Sequence, residues 1–209
     1  MNQLGQRRAS GERDTGVRER LLAAAGTLIA QGGTATATSR AISARAGENL
    51  AAITYYFGSK DELVSEALIR QARTLIEPVV AELTSDRPQL EKLARAVDML
   101  TTLFDDRRDQ LAGYLACLTQ SPHQARLGDE VRGLSRELQR RLAEEMRRQR
   151  SRGLVPAWVQ PDAMAALIVA LVNGVVAAAV VDPEQTDPRA IGQQFAALLV
   201  AAGTRGDQR

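Results

Sequence analysis

A chain of 209 residues with 44% hydrophobic and 25% charged side chains has the composition of a globular protein of one large or two small domains, which excludes a low-complexity chain. A net charge of +2 with a pI near 9.0 excludes a bulk polycation, so an anionic partner has to be met by local basic groups. One cysteine, Cys117, excludes an internal disulfide and fits a reducing compartment.

In chain order, residues 1–16 are polar, basic and glycine-containing, and read as a flexible basic arm. Met1 to Arg20 holds five arginines and no apolar run, so no secretory signal is expected and a cytoplasmic location is. From Val17 a helical stripe begins: Val17, Leu21, Ala24, Ala25, Leu28 and Ile29 recur every three or four residues up to Gly32-Gly33. The hydroxyls of Thr34 to Thr38 suit the cap of a short second helix, which Gly47 ends. A third short helix spans Leu50 to Phe57. Asp61 and Glu62 suit the first turn of a fourth, with the stripe Val64, Leu68, Ala72, Leu75 and Val79; Pro78 is expected to kink or end it.

Further stripes follow at Leu90 to Phe104, Leu111 to Leu118 and Leu127 to Met146; Pro161-Asp162 opens another helix, and Ile191, Phe195, Leu198 and Leu199 mark a last one. On the seventh stripe's polar face, Glu137 with Arg141 and Glu144 with Arg148 stand four apart and read as support along one helix. No stretch alternates with period two. The expectation is all-α, about nine helices, divided into a 17–63 helix-turn-helix unit and a larger 64–205 helical domain.

Ala163 to Val181 contains no charge and is long enough for a membrane span. It is rich in alanine and valine, includes Asn173 and Gly174, lies between Asp162 and Asp182, and lacks aromatic or basic anchors. It therefore reads as a helix buried in a core or a subunit interface, with no membrane partner. Ala170, Gly174 and Ala178, small residues four apart, allow two helix backbones to approach closely.

Three of the seven aromatic residues stand together at Tyr55-Tyr56-Phe57, beside the short second and third helices. In a helix-turn-helix the second helix of the pair enters the major groove of duplex DNA while the first braces it. Ser43 and Ala46 are small enough for a helix crossing, Gly47 makes the turn, and Ile42, Ile53 and Phe57 form the spine. On the third helix, Leu50, Ala51 or Ala52 suit a thymine methyl, while Asn49 and Thr54 offer hydrogen bonds to base edges. Thr38, Ser39, Tyr55, Tyr56 and Lys60 suit phosphates, and Arg40 reaches either a phosphate or a guanine edge.

The run Gln31-Gly32-Gly33, Thr38-Ser39-Arg40-Ala41-Ile42-Ser43, Ala46-Gly47 and Tyr55 to Leu63 resembles the N-terminal domain of the TetR family of bacterial transcriptional regulators over Val17 to Leu63. Two positions depart from the family's pattern: Thr54 replaces a usual tyrosine, and Glu48 a frequent valine. The resemblance implies a repressor bound to a palindromic double-stranded operator as a homodimer. It also implies a four-helix interface from the last two long helices, where Ala170, Gly174, Ala178, Phe195 and Leu199 are the candidates, and a small-molecule pocket among the middle helices.

Met99, Phe104, Tyr114, Cys117, Leu118 and Trp158 are the candidates for that pocket, and they suggest an apolar or amphipathic ligand. His123 is the only histidine, in a loop, and Cys117 sits on an apolar stripe as an inert thiol. No catalytic constellation, metal cluster or cofactor motif is expected. The rival reading is an all-α carrier or small-molecule binding protein whose N-terminal hairpin is structural. 

Overall fold

The computed structural model describes residues 3–206 of the chain, with side chains over 15–198 except at positions 108 and 123. Among the described residues there is no strand. Nine α-helices follow in order: α1 (Gln3–Gly32), α2 (Ser39–Ala46), α3 (Leu50–Phe57), α4 (Lys60–Leu83), α5 (Gln89–Asp106), α6 (Arg108–Gln120), α7 (Ala125–Ser151), α8 (Pro161–Val181) and α9 (Pro188–Gly206). Single 3-10 turns stand at Thr34–Thr36 and Ser121–His123. The segment expected as an arm carries helical backbone from Gln3 onward, as one continuous α1. It has no proline, and its Arg, Gln, Glu and Ala are good helix formers.

The helices gather into two compact units. One takes the chain up to Ala72 together with Ala112–Glu130, so its core draws on α4, α6 and the start of α7 as well as the three N-terminal helices. Leu21, Ala25, Ile29, Ile42, Ile53, Leu63 and Leu68 are buried there almost completely. Each such leucine or isoleucine contributes roughly 2 kcal/mol by leaving water. Side chains close the gaps between helices: Gln71 Nε2 donates to the Gly26 carbonyl (3.0 Å), Ser65 Oγ to Gln124 Oε1 (3.1 Å) and Gln120 Nε2 to Thr34 Oγ1 (3.2 Å).

The other unit comprises Arg73–Leu111 and the chain from Val131. Within it α4 and α7 run parallel in a fixed register: Arg73 pairs with Glu137 (3.0 Å) and Glu77 with Arg141 (2.8 Å), both sides advancing four residues. This corrects the expected support along α7. Glu137 and Arg141 are spent on α4, and Arg148 pairs with Glu145, leaving Glu144 to Arg140.

Leu142 and Ala143 of α7 bury Ala165 of α8, with Leu83, Ile168 and Val169 around them. Helix α5 packs on α9, closest at Gly192, where an added Cβ would meet the Val97 methyls at 3.0 and 3.1 Å. Pro78 does not end α4; the helix continues five residues beyond it to Leu83. Pro78 is exposed while Leu75, Val79 and Val80 are buried, so the packed face of α4 holds the helix together past the missing donor.

Unpredicted from sequence is a charged cluster inside this unit. Lys92 of α5 is 1% exposed, and its ammonium donates to Glu145 Oε1 of α7 at 2.5 Å and to the Ser85 carbonyl at 3.3 Å. Gln149 and Arg148 also donate to the Glu145 carboxylate. Burial alone would raise the Glu145 pKa. The bonds from Lys92, Gln149 and Arg148, with the Lys92 charge, outweigh it and pull the group down to about 2 from 4.5.

Candidate nucleic-acid interface

Each end of the two short helices is fixed by a specific cap. Thr38, extended at ψ 154°, accepts from the Ala41 amide through Oγ1 (3.2 Å) and starts α2. Gly47 ends it in the left-handed region (φ 69°, ψ 30°), and the Glu48 amide reaches back to the Ser43 carbonyl (2.9 Å), as a Schellman turn does. Asn49 then caps α3, its Oδ1 accepting from the Ala52 amide at 2.9 Å. Gly58, at φ 80°, closes α3, and Ser59 Oγ accepts from the Glu62 amide (3.1 Å) to begin α4. Three turns, each with a defined cap, therefore set the angle between α2 and α3.

Helix α3 is held from below by Ile53 and Phe57, both buried. The Arg18 guanidinium lies 4.9 Å from the Phe57 ring centre and makes a two-pronged bond to Glu66, so α1, α3 and α4 are tied at one residue. Arg20 of α1 bonds Glu48 in the turn before α3 (Nε to Oε1, 3.1 Å). A carboxylate at Glu48 facing a phosphate backbone would repel it, and the Arg20 partner offsets that charge. Sequence reading missed both arginines, though their spacing on the polar side of the α1 stripe was visible.

The outer face of α3 carries no partner helix. Leu50 and Tyr55 are 50% and 75% exposed, and Ala51 and Thr54 are exposed too. Tyr55 stands edge-on to Tyr56 with centroids 4.8 Å apart, which stiffens the end of the helix. Thr38 and Arg40 are exposed at the start of α2, while Ser39, Ala52, Tyr56 and Lys60 are half-buried. Lys60 pairs with Asp61 at 2.8 Å. The eleven residues expected at the interface thus stand on α2, α3, the turns beside them, or, for Lys60, at the first position of α4. Thr38 and Asn49 also spend their side-chain oxygens on caps, which leaves the hydroxyl hydrogen and the amide hydrogens for an outside acceptor.

The residues expected to line a ligand pocket are not brought together. Phe104 lines an apolar cavity of about 90 Å³ in the second unit, among Val79 and Leu83 of α4, Leu93, Ala96, Val97 and Leu100 of α5, Ile168, Leu171, Val172 and Val175 of α8, and Ile191 and Phe195 of α9. Met99 is half-buried outside that lining, Trp158 is 54% exposed before α8, and Leu118 is half-buried in the other unit. Tyr114 and Cys117 are buried in that other unit as well. Burial, then the neighbouring Glu130, pushes the Cys117 thiol up to about 11; burial, then Cys117, pushes Tyr114 up to about 12.

Helix α8 is expected to be buried in a core or a subunit interface, and in the single chain 17% of its most apolar window is buried. Its faces divide the labour. Ala165 and Val169 meet the α7 core; Ile168, Leu171, Val172 and Val175 line the cavity; Ala163, Leu167, Ala170, Gly174, Ala178 and Val181, three or four apart, are exposed. Ala170, Gly174 and Ala178 thus share the open stripe, Phe195 sits in the cavity wall, and Leu199 lies outside the described side chains.

Two family models match the chain: "Bacterial regulatory proteins, tetR family" over residues 21–67 and "BetI-type transcriptional repressor, C-terminal" over 88–203. No curated protein matches. Among solved structures, a transcriptional regulator from Saccharomonospora viridis in complex with choline is 25% identical, with a TM-score of 0.69, covering 85% of this chain and 92% of its own. SmeT, the repressor of the Stenotrophomonas maltophilia multidrug efflux pump SmeDEF, is 23% identical, with a TM-score of 0.66 and coverage of 88% and 89%. A TetR transcription regulator from Haloarcula marismortui, 19% identical, shares the fold at a TM-score of 0.73 over 89% and 97%. With a match to the family's N-terminal model over the helix-turn-helix unit and a C-terminal match over more than half its length, the chain belongs to the TetR family of transcriptional regulators and carries a C-terminal domain of the BetI type.

Proposed function

We propose that this regulator is a repressor that binds a palindromic operator as a homodimer and releases it when a small molecule occupies the C-terminal unit. The observation that carries the DNA half is α3: two buried anchors, a capped start, and an outward face of Leu50, Ala51, Thr54 and Tyr55 with no protein partner. In the groove, Leu50, Ala51 and Ala52 meet thymine methyls, and Thr54 with the Asn49 amide reads base edges. Thr38, Ser39, Tyr55, Tyr56 and Lys60 hold phosphates, which fixes register, and Arg40 takes a phosphate or a guanine.

The exposed stripe of α8 supports the dimer. Ala170, Gly174 and Ala178 let two α8 helices approach, and Leu198, 58% exposed on α9, extends the apolar surface. Pairing two α3 helices about one DNA turn apart is what a palindrome requires. The protein acts by binding alone, in the cytoplasm where its operator is, with no catalytic step. A relative crystallised with choline supports a small organic effector for the C-terminal unit. A coupling of about 1–3 kcal/mol per site changes operator affinity by roughly 5–150-fold. Helix α4 is the carrier of that coupling, since it is one helix shared by both units.

Fluorescence anisotropy on promoter DNA tests this. Tyr55→Ala and Lys60→Ala are expected to weaken binding at least tenfold while sedimentation still gives a dimer. Undiminished affinity in both variants would return the N-terminal hairpin to a structural role, as in a carrier protein.

A further inference from the structure

Two cavities in the second unit share two walls, Phe104 and Pro188. The larger, about 90 Å³, is lined almost wholly by carbon. The smaller, about 70 Å³, adds Asp105 and Thr186 to apolar walls from Leu111, Ala179 and Pro183. Among the described residues Asp105 is the only charged one lining either space, and further carboxylates stand near it in the chain: Asp106 beside it on α5, and Asp182, Glu184 and Asp187 in the α8–α9 connection. Of the described arginines next to these segments in the chain, Arg189 pairs with Asp98, and Arg107 is exposed, as is Asp105.

From this juxtaposition we propose that the effector of this regulator is an amphipathic amine. Its hydrocarbon body fills the carbon-lined space and its ammonium head lies past Phe104, facing Asp105 and Thr186. The proposal rests on the ligand-responsive reading above and names the chemical class of its ligand. Size limits the body. An apolar cavity of about 150 Å³ holds a benzene, so a chain of roughly five to seven carbons laid through both spaces is the scale that fits. An anionic head would meet the Asp105 carboxylate with no lining cation among the described residues, and a bare quaternary ammonium such as choline would leave the carbon-lined space empty.

The walls also say what occupation moves. Val172 and Val175 of α8 face the larger cavity, while Ala170, Gly174 and Ala178 on the same helix face outward as the proposed dimer stripe. Val79 and Leu83 belong to the part of α4 beyond Pro78. A ligand that fills the space bears on both helices at once.

The test is calorimetric titration of the full-length dimer, without DNA, by hexylamine, hexanol, hexanoate and choline, four probes that separate body from head. Hexylamine is expected to bind at least tenfold tighter than hexanoate, with hexanol between and choline weakest. Asp105→Asn should erase the preference for amine over alcohol and leave hexanol unchanged. Ala196→Leu, or the gentler Val175→Leu, should abolish binding of all three hexyl probes by filling the carbon-lined space. Hexanoate equal to hexylamine, an amine preference that survives Asp105→Asn, binding that survives both filling substitutions, or no binding of any probe would overturn the proposal. Operator release, measured separately by anisotropy, tells the two readings apart: tight amine binding without release refutes the regulatory reading and keeps the site, while release by some other molecule with no amine binding does the reverse.

Discussion

Substituting Lys92 by methionine removes the cation from a carboxylate that is itself 6% exposed, leaving Glu145 with only Gln149 and the solvent-side Arg148. Breaking one partner of a buried pair costs about 3–5 kcal/mol, because the remaining charge has lost its water and its buried counter-ion, and Arg148 offsets it only from the solvent side. Against a typical total of about 5–15 kcal/mol, that is a large share of the stability of the unit. Urea unfolding at pH 7 and fixed dimer concentration measures it. The pH profile supplies a second reading. The folded pKa of Glu145 lies below its unfolded value, near 2 against 4.5, so the wild type holds this contribution above about pH 4.5 and loses it as pH falls toward 2. The shift corresponds to about 3 kcal/mol, which agrees with the cost expected for the substitution. In Lys92→Met the loss between pH 4.5 and 2 should shrink. The triple change Lys92→Met, Glu145→Leu and Gln149→Met should regain most of the stability, since an apolar cluster of similar volume needs no counter-ions. A cost below about 1 kcal/mol for Lys92→Met, the range of an exposed pair, would refute the reasoning.

Three smaller predictions concern the first unit. Ser43 is buried between the short helices and its hydroxyl has no hydrogen-bond partner, so Ser43→Ala should leave stability unchanged or raise it by about 1 kcal/mol in thermal unfolding. Gly47→Ala places a Cβ in the left-handed region and should cost about 1–2 kcal/mol, with weakened DNA binding as α3 shifts; an unchanged Tm would mean that the turn is not fixed as described. Cys117, buried with its thiol pushed up to about 11, should not react with a thiol reagent at pH 8 until the protein unfolds.

What the sequence made legible was whatever local chemistry decides. The Thr34 to Thr38 hydroxyls and Gly47 announce the ends of α2 by residue type alone, and α3 spans Leu50–Phe57 as expected; the caps made by Asn49 and Ser59 were equally legible, and sequence reading missed them. The candidate DNA face follows from them, because a short helix with Ile53 and Phe57 inward has only one way to turn Thr54 and Tyr55. The second unit resisted the same treatment because its partners are far apart in sequence. Glu137 and Arg141 looked like an i, i+4 pair and instead answer Arg73 and Glu77, sixty-four residues earlier. Apolar and amphipathic character pointed to Met99, Phe104, Tyr114, Cys117, Leu118 and Trp158 for a pocket; of these Phe104 lines the apolar cavity, whose other walls come from α4, α5, α8 and α9 and depend on which way each helix is rotated. A signal for the buried pair did exist. Lys92 is one of two lysines in a chain with 25 arginines, and it precedes Ala96 by one helical turn on the apolar stripe of α5, where a compact ammonium packs and a guanidinium does not. Helix α8, apolar on every side, carried a similar signal of a face with two separate duties.

The most direct test of the central claim is selection of binding sites from random duplex DNA by the full-length protein, at two salt concentrations. The account predicts an enriched inverted repeat with half-sites about one helical turn apart, and affinity that falls steeply with salt, by a slope near 0.9 for each phosphate held. Enrichment of a single, non-repeated site would contradict the dimer, and salt-sensitive binding without any sequence preference would contradict α3 as a reader of bases.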